Sequence, residues 1–373
     1  MIAAHRTMAS PYMEWAKTRS QARYNLATSG IASVPKSEFP LDPRALEITS
    51  PGGYGYEPLQ ERLARHTGVS ADSIVAATGT SMANHLAMAA VLAPGDEVLI
   101  EQPAYGPLLD VAHYLGARVT RIARPTENAF ALNLGDIERA ITPTTRLIVL
   151  TNLHNPSGAL LPADTLREIG ERAQKAGARV LVDEVYLEML FADDAPFAFA
   201  IGEKLGGENP FISTSSLTKL YGLSGLRCGW IAAARPLAAK IWRLNDLFGS
   251  VAPHVSELLA ATAFDHLDQF RDRARAILEI NRPIMDAFLD SRRDLDCFRP
   301  IAGTVFFPHL VNGPTDAFVE LLREKYETSV VPGRFFEMPQ HFRVGIGGDT
   351  GDLRAALRQL GAALDEFSAQ RRA

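Results

Sequence analysis

The chain has 373 residues, of which 47% are hydrophobic and 22% charged, which is the balance of a soluble globular protein. Lys and Arg number 38 against 43 Asp and Glu, so the net charge is −5 and the basic excess needed for non-specific nucleic-acid binding is missing. The length is too great for one ordinary domain and fits one large and one small domain.

Cysteine usage and the termini indicate where the protein works. Cys228 and Cys297 have no metal-type spacing and no short-range partner, so we expect no metal site, and we expect Cys228 to be a buried, inert thiol. The first residues lack the charged head and apolar core of a signal peptide, and the apolar run 86–93 is too short to span a bilayer. We therefore expect a reduced, cytoplasmic protein without membrane or nucleic-acid partners.

The first part of the chain is predicted to be an irregular arm, and a regular alternation follows it. Prolines at positions 35, 40 and 43 interrupt any long element in residues 1–45. Near-continuous apolar strands separated by helices then favour a mainly parallel sheet covered on both faces, so the fold class is α/β. Strands are predicted at 73–77, 97–100, 117–123, 146–151, 179–183, 211–214 and 226–233, and helices at 82–92, 108–115, 136–141 and 162–175.

The C-terminal part is predicted to form a smaller α+β domain. A helical pattern runs from 236 to about 289, and the composition changes near 301. Three domain segments follow: 1–45 as an arm and part of the small domain, 46–265 as the large domain, and 266–373 as the small domain. Within the last segment, strands are predicted at 304–307, 329–331 and 342–346, and helices at 316–327 and 351–370.

Lys219 stands in a cluster of hydroxyl residues that is followed by two glycines and an arginine. Ser216 and Arg227 offer short hydrogen bonds to an oxyanion such as phosphate. A lysine among them can hold a carbonyl compound as a Schiff base. Together they suggest a phosphorylated aldehyde, which describes pyridoxal phosphate.

Two further clusters follow predicted strands, where ligands bind in such sheets. Gly79, Thr80 and Ser81 precede a helix, so they form either an anion seat or a plain helix cap. Tyr105 either stacks on a planar ring or simply packs.

Polar residues also follow two buried strands. Asn155 precedes a proline in a rigid turn, where its amide either donates to a ligand or forms an ordinary Asx turn. Asp183 ends a buried strand and needs a partner, for which a pyridinium N–H would serve, and Tyr186 can donate to a phenolic oxygen. We interpret His154 as structural and assign Glu184 no chemical role.

The chain contains four motifs: Asn-Pro-x-Gly, Asp-x-x-Tyr, Ser-x-Ser/Thr-Lys and Gly-x-Arg. Their order and separations are similar to those of a known enzyme family. On these motifs the chain resembles the class I/II aminotransferases of fold type I from about residue 25 to 347. The resemblance implies a large domain with a seven-stranded, mainly parallel sheet and a smaller domain. It also implies pyridoxal phosphate as cofactor, amino acids and 2-oxo acids as substrates, and a homodimer with the active site at the subunit interface.

The resemblance also implies individual roles. Lys219 resembles the lysine that forms the Schiff base with the cofactor and later shuttles the proton, and Asp183 resembles the carboxylate that keeps the ring nitrogen protonated. Asn155 and Tyr186 resemble donors to the phenolic oxygen, and Tyr105 the aromatic residue that stacks on the ring. The other implied residues are Gly79, Thr80, Ser81, Ser216 and Arg227 at the phosphate, Gly30, Asn155 and Arg343 at the substrate carboxylate, and Tyr54 or Tyr56 (or neither) at the partner subunit's cofactor.

Two segments depart from the family pattern, and three functions stay open. The segments Gly30–Pro35 and Gly52–Tyr56 have altered composition or spacing, which leaves the amino donor undefined.

The main hypothesis is a ping-pong aminotransferase. A C–S β-lyase would use the same lysine, aspartate and arginine but release pyruvate and ammonia without an acceptor. A non-catalytic sensor that binds pyridoxal phosphate would carry a helix-turn-helix module, for which the residues before the core leave little room. A dinucleotide-binding protein is disfavoured because no G-x-G-x-x-G motif follows the first strand.

Overall fold

The computed structural model describes residues 7–192, 195–311, 313 and 315–370. The α-helices of these residues are Pro11–Thr18 (α1), Glu57–Thr67 (α2), Gly79–Val91 (α3), Gly106–Tyr114 (α4), Leu134–Ala140 (α5), Ala163–Ala176 (α6), Ala198–Gly202 (α7), Arg235–Asn245 (α8), His254–Phe264 (α9), Leu267–Asp290 (α10), Thr315–Lys325 (α11) and Thr350–Gln370 (α12). None of these helices has both the length and the apolar character that crossing a bilayer requires.

The strands form one large sheet and several small ones. They are Tyr24–Asn25 (β1), Ile74–Thr78 (β2), Glu97–Gln102 (β3), Arg118–Ala123 (β4), Thr145–Thr151 (β5), Arg179–Asp183 (β6), Phe211–Ser216 (β7), Cys228–Ala232 (β8), Leu295–Asp296 (β9), Val305–Phe306 (β10), His309–Leu310 (β11), Thr328–Ser329 (β12), Val331–Pro332 (β13) and Phe342–Gly345 (β14). The large sheet has seven strands in the order β2-β8-β7-β6-β5-β3-β4. Six strands of this sheet run in the same direction, and β8 runs in the opposite direction between β2 and β7. The predicted mainly parallel sheet is therefore confirmed.

The sheet is buried on both faces, as the apolar strand sequences predict. In β5, Leu147 and Val149 pack into the core formed with α3, α4 and α8. The alternate residues Ile148 and Leu150 pack into the opposite core, formed with α5, α6 and α7. Because side chains alternate between the faces of a strand, a continuous apolar run is required at a central position. The α/β fold class is therefore confirmed.

The C-terminal half refines the predicted elements. The helical region from 236 to 289 consists of α8, α9 and α10 rather than one continuous run. The strand predicted at 329–331 is wrong as a single element, because β12 pairs with β1 while β13 pairs with β14. Strands β10, β14 and β13 make a three-stranded antiparallel sheet. The limits at residues 45 and 265 stay a prediction.

The expectation of an irregular N-terminal arm is wrong for α1. Ser10 caps this helix, its hydroxyl accepting a hydrogen bond from the backbone N–H of Met13 at 3.4 Å. Tyr12 and Trp15 are buried, and the Trp15 ring lies 5.6 Å from that of Phe335. A helix of eight residues is marginal alone, so aromatic contacts with residues more than 300 positions away stabilise it.

Candidate active site

A cavity of about 500 Å³ lies at the carboxyl ends of β5, β6 and β7. A larger cavity of about 740 Å³, between α2 and the start of α10, contains none of the predicted site residues. Nine predicted residues line the smaller cavity: Thr80, Ser81, Tyr105, Asn155, Asp183, Tyr186, Ser216, Lys219 and Arg227. Side chains that the sequence did not single out also line it, among them Tyr12, Met13, Lys17, Ser29 and Asn84.

One end of the cavity is the N-terminus of α3. The prediction that Gly79, Thr80 and Ser81 precede the helix is wrong, because the helix begins at Gly79, whose φ of 76° lets the chain pass directly from strand to helix. The Thr80 hydroxyl oxygen is buried and has no hydrogen-bond partner. A Cβ on Gly79 would lie 2.4 Å from Nη2 of Arg227, so the guanidinium would have to move if this position carried a side chain. An unpartnered hydroxyl, a guanidinium and helix N–H groups together suit an anion.

Asp183 lies deeper in the cavity, at the end of β6. Its Oδ2 accepts from Nδ2 of Asn84 at 2.7 Å, and its Oδ1 accepts from the backbone N–H of Val185 at 3.2 Å. Burial raises the pKa of the Asp183 carboxyl to about 6, although both hydrogen bonds oppose this shift. The positive charge of Lys219 also opposes the shift but does not cancel it, so a protonated ring nitrogen in contact with this carboxylate would stabilise its charged form.

Asn84 is a site residue that sequence reasoning missed. It stands four residues after Thr80 on α3, one helical turn away on the same face. Its Oδ1 accepts from the Thr214 hydroxyl at 2.6 Å, which directs its amide group toward Asp183. The available signal was an amide residue in a helix that consists mostly of Ala, Met, Leu and Val.

Lys219 follows β7, and its amine lies inside the cavity. Nζ donates to the hydroxyl of Ser29 at 3.1 Å, and the Tyr186 hydroxyl donates to the same oxygen at 2.8 Å. Burial lowers the pKa of the Lys219 amine, with Tyr12 and Asp183 acting in the opposite direction. A larger fraction of the amine is therefore neutral at a given pH than for an exposed lysine.

Arg343 is held in β14, next to the cavity. It is 1% exposed, and its Nη1 donates to Oδ1 of Asn155 at 2.8 Å. Its Nη2 donates to the Tyr12 hydroxyl at 3.1 Å and to the carbonyl of Ala27 at 3.2 Å. The Nε atom has no hydrogen-bond partner in the described structure. Because Asn155 accepts through its oxygen, its amide N–H₂ group is left for a ligand.

A buried ion pair supports Asn155 from behind. Arg124 and Glu101 are both inaccessible, and Nη1 lies 2.7 Å from Oε2. Oε1 of Glu101 accepts from the backbone N–H and the hydroxyl of Thr151, and the Thr151 hydroxyl accepts from the N–H of Asn155 at 3.0 Å. This chain fixes the turn that carries Asn155.

Aromatic side chains cover the cavity. The rings of Tyr12 and Tyr105 meet edge to face at 5.2 Å, and the Tyr105 hydroxyl contacts the sulfur of Met13 at 3.7 Å. Tyr12 and Met13 belong to α1, so this helix forms part of the cavity wall. Tyr105 is thus available to face a planar ligand.

Five predicted residues are absent from the lining of this cavity: Gly79 and Arg343, which lie beside it, and Gly30, Tyr54 and Tyr56. Gly30 packs against the backbone of Lys219, where a Cβ would lie 3.3 Å from the carbonyl oxygen. Tyr54 and Tyr56 line a separate small depression, and the Tyr54 hydroxyl donates to Oδ2 of Asp246 at 3.0 Å. Neither tyrosine reaches the cavity of its own chain.

Other predicted residues have the structural contacts that the sequence suggested. His154 contacts Ser157 at 2.6 Å and the carbonyl of Pro103 at 2.9 Å, and burial holds its pKa well below the usual range. Glu184 accepts from the backbone N–H of Ala198. Cys228 is buried, which raises its pKa to about 12. Over residues 7–192, 195–311, 313 and 315–370, no three metal-ligating side chains cluster as a cation would require.

The donors fit pyridoxal phosphate. The end at Thr80 and Arg227 suits the phosphate, the desolvated Asp183 suits the protonated pyridine nitrogen, and the Lys219 amine lies among the same lining residues. The unpartnered Thr80 hydroxyl and the Arg227 guanidinium packed over Gly79 are features that a phosphate group would explain.

Comparisons with known proteins identify the family of this chain. The model of the family "Aminotransferase class I and II" matches residues 47–360. The chain is 30% identical to capreomycidine synthase of Streptomyces vinaceus, over 98% of this chain and 96% of that protein. It is 29% identical to an arginine–pyruvate transaminase of Pseudomonas aeruginosa, over 84% and 80% of the two chains. A solved pyridoxal-phosphate-dependent aminotransferase from Streptococcus suis has a TM-score of 0.88 at 26% identity, covering 98% of this chain and 99% of that one.

The matched range contains the cavity and most of the side chains that line it. The predicted cofactor and the predicted enzyme class, a pyridoxal-phosphate-dependent aminotransferase of fold type I, are confirmed. The chain belongs to the class I and II aminotransferases.

Proposed function

We propose that this protein moves the amino group of an L-amino acid to a 2-oxo acid in two half-reactions, with Lys219 as the catalytic lysine. One observation carries the assignment. The buried amine of Lys219 lies in the same cavity as a desolvated carboxylate, Asp183, and next to a buried arginine, Arg343. These groups suit three parts of the reaction: proton transfer, charge on the cofactor ring and the substrate carboxylate.

Pyridoxal phosphate, when bound, supplies an electron sink for the bond that is broken at Cα. Asp183 would hold the protonated ring nitrogen through a charge-assisted hydrogen bond. Asn155 and Tyr186 would donate to the ring oxygen, and Tyr105 would cover the ring. The phosphate would be held by Thr80, Ser81, Ser216 and Arg227 together with the N–H groups that begin at Gly79.

Lys219 would act as the general base and acid at Cα. Its burial lowers the pKa of the amine, so a larger fraction of it is neutral and able to accept a proton than for an exposed lysine.

Arg343 would bind the substrate α-carboxylate. Its guanidinium is buried and oriented by Asn155, Tyr12 and Ala27. A planar, fixed guanidinium binds a carboxylate through two parallel hydrogen bonds and so orients the Cα–H bond. Gly30 would let the chain approach this carboxylate closely.

The exposed apolar surface supports a homodimer. Ile48 is 86% exposed and Leu247 78%, and Phe248 and Val251 are also exposed. Val251 lines the depression that contains Tyr54 and Thr78, and the other three lie within two or three residues in sequence of residues that line it. Clustered exposed apolar side chains mark protein interfaces, so a second copy would bury them and bring its Tyr54 or Tyr56 to the phosphate end. We also propose a cytoplasmic location, on the scarcity of cysteine.

The test is a half-reaction with the cofactor-loaded protein and a panel of amino acids, followed by absorbance and by analysis of the products. We expect the pyridoxamine form and one 2-oxo acid per active site, with turnover only when a second 2-oxo acid is added. Pyruvate and ammonia released without an acceptor would instead identify the β-lyase. Cofactor binding with neither reaction would identify a sensor.

A further inference from the structure

Ser29 makes two hydrogen bonds in the cavity for which neither the family motifs nor the proposed roles account. Its hydroxyl oxygen accepts from Nζ of Lys219 at 3.1 Å and from the Tyr186 hydroxyl at 2.8 Å. A serine oxygen has two acceptor positions, so the two donors saturate it. The side chain therefore joins the catalytic amine to a tyrosine that lines the same cavity.

The position of Ser29 is fixed by its backbone. The Thr304 hydroxyl donates to the carbonyl of Ser29 at 2.7 Å, and Thr304 is fully buried. Two residues on, the N–H of Ile31 donates to the carbonyl of Lys219 at 2.8 Å. Between them, Gly30 lies in close contact with the Lys219 backbone. The segment 29–31 is thus attached to the loop that carries the lysine, and Ser29 itself is 6% exposed.

A buried serine at this position requires a reason. Burying a hydroxyl without partners is unfavourable, and removing one partner from a buried bond leaves the other group unsatisfied. Without Ser29, no other hydrogen bond from Nζ of Lys219 would remain among those of the described residues, and the Tyr186 hydroxyl would lose its recorded acceptor. A long, flexible lysine side chain would then sample several rotamers in a cavity of about 500 Å³.

We propose that Ser29 is a positioning residue for amino transfer, whose hydroxyl holds the free amine of Lys219 beside Tyr186. The proposal rests on the proposed function only for the step in which the amine takes the Cα proton. Lys219 is free whenever it is not bonded to the cofactor, so its orientation must then come from the protein. Preorganisation of this kind lowers the entropic part of the barrier.

The first test uses the cofactor-free protein. The rate at which a small acylating reagent labels Lys219 is measured against pH by mass spectrometry in wild type, Ser29→Ala and Ser29→Thr. The groups that face this amine and shape its titration are Tyr12, Arg343, Asp183 and Arg227, with Tyr186 beside it. Because Ser29 accepts from the ammonium, its loss should move the labelling midpoint about one unit toward lower pH, and threonine should restore it.

The second test uses the loaded enzyme and bound amino acid. Exchange of the Cα hydrogen with deuterated solvent should slow about tenfold in Ser29→Ala, with KM nearly unchanged, because the hydrogen bond that orients the amine is lost. Ser33→Ala is the matched control, since it removes an exposed hydroxyl four residues away and should change neither readout. Should Ser29→Ala fail to fold, Ser29→Cys keeps the volume with a much weaker acceptor and should behave alike.

The outcomes separate the two proposals. Labelling and exchange that are unchanged in Ser29→Ala would overturn the role of Ser29. An equal loss in Ser29→Ala and Ser29→Thr would also overturn it, because packing rather than the hydroxyl would then be responsible. If wild type exchanges Cα–H but never forms the pyridoxamine form, the proposed amino transfer fails while the effect of Ser29 on exchange is still measured.

Discussion

The cofactor end and the substrate end of the cavity are built in different ways. Asp183 ends β6, Lys219 follows β7 and Arg227 directly precedes the antiparallel β8, while α3 begins where β2 of the same sheet ends. At the substrate end, Arg343 donates a hydrogen bond to Tyr12 of α1, a residue 331 positions away in the sequence. The residues proposed to hold the cofactor therefore lie in short sequence motifs, whereas the proposed substrate site depends on contacts between segments that are distant in the sequence.

The two ends also differ in charge. Asp183 is the only carboxylate among the described residues that line the cavity. The substrate end has the buried cation Arg343 nearby and an exposed lysine, Lys17, on the last turn of α1. The following predictions test whether the two ends can be separated, beginning with the largest expected effect.

Replacement of Lys219 should abolish both the covalent attachment of the cofactor and catalysis. In Lys219→Ala we expect no visible absorbance band from the bound cofactor and a loss of amino transfer of about a thousandfold or more, because the base and the covalent attachment are both removed. An absorbance titration with pyridoxal phosphate measures this. Lys17→Ala is the control for the other lysine in the cavity and should keep the band, and a band retained in Lys219→Ala would disprove the assignment.

Asp183 should make the stability of the cofactor-free protein depend on pH. Its pKa rises from 3.8 to about 6 on folding, so its favourable contribution is complete below about pH 4 and is lost as the pH rises through 6. This shift corresponds to about 3 kcal/mol. Urea unfolding at pH 4.5 and 7.5 should show a smaller loss in Asp183→Asn than in wild type, and an equal loss would contradict the buried, unpaired carboxylate.

Replacement of Arg343 should weaken substrate binding and leave cofactor binding unchanged. In Arg343→Lys the charge remains but the two-pronged contact is lost, so we expect KM for amino acids to rise about fiftyfold. Steady-state kinetics measures the change. Cofactor affinity should match wild type, and a parallel loss of cofactor affinity would show that the two ends cannot be separated.

Thr80 should affect only the cofactor end. Its buried hydroxyl lacks a partner in the described structure, so a phosphate should supply one, and Thr80→Ala should weaken cofactor binding about tenfold. Ser215→Ala is a close control, because the Ser215 hydroxyl is also buried without a partner but does not line the cavity. Equal weakening in both variants, measured by fluorescence titration, would argue against a phosphate at Thr80.

Lys17 should give the smallest effect, through the charge of the substrate side chain. It is exposed at the cavity mouth, so its interaction with a bound substrate is screened by solvent. In Lys17→Glu we expect the ratio of kcat/KM for arginine to that for glutamate to rise about fivefold, as a surface charge reversal allows. An unchanged ratio would place the specificity determinants elsewhere.

The features that could be predicted from the sequence lie mostly in the large sheet and at the cofactor end of the cavity. The parallel sheet, its two buried faces and nine lining residues were predicted, because apolar strand runs and motifs at strand ends are local signals. Asn84 was missed because a helical amide becomes informative only once β6 is known to lie beside it. Its spacing from Thr80 was visible, but its partner was not.

The N-terminal segment was the least predictable region. α1 has eight residues, and its stability comes from Phe335 and other aromatic residues near the C-terminus. Ser29 lies in a segment without regular structure, and its hydroxyl is important only because Lys219 and Tyr186 meet there. No periodicity or motif in residues 1–45 encodes such contacts.

The most direct measurement is the site of cofactor attachment. Wild-type protein loaded with pyridoxal phosphate is treated with borohydride, digested and examined by mass spectrometry. We expect the phosphopyridoxyl group on Lys219 at one per chain, with Lys17, the second lysine of the same cavity, unlabelled. Labelling of Lys17 or of any other lysine in place of Lys219 would contradict the central assignment.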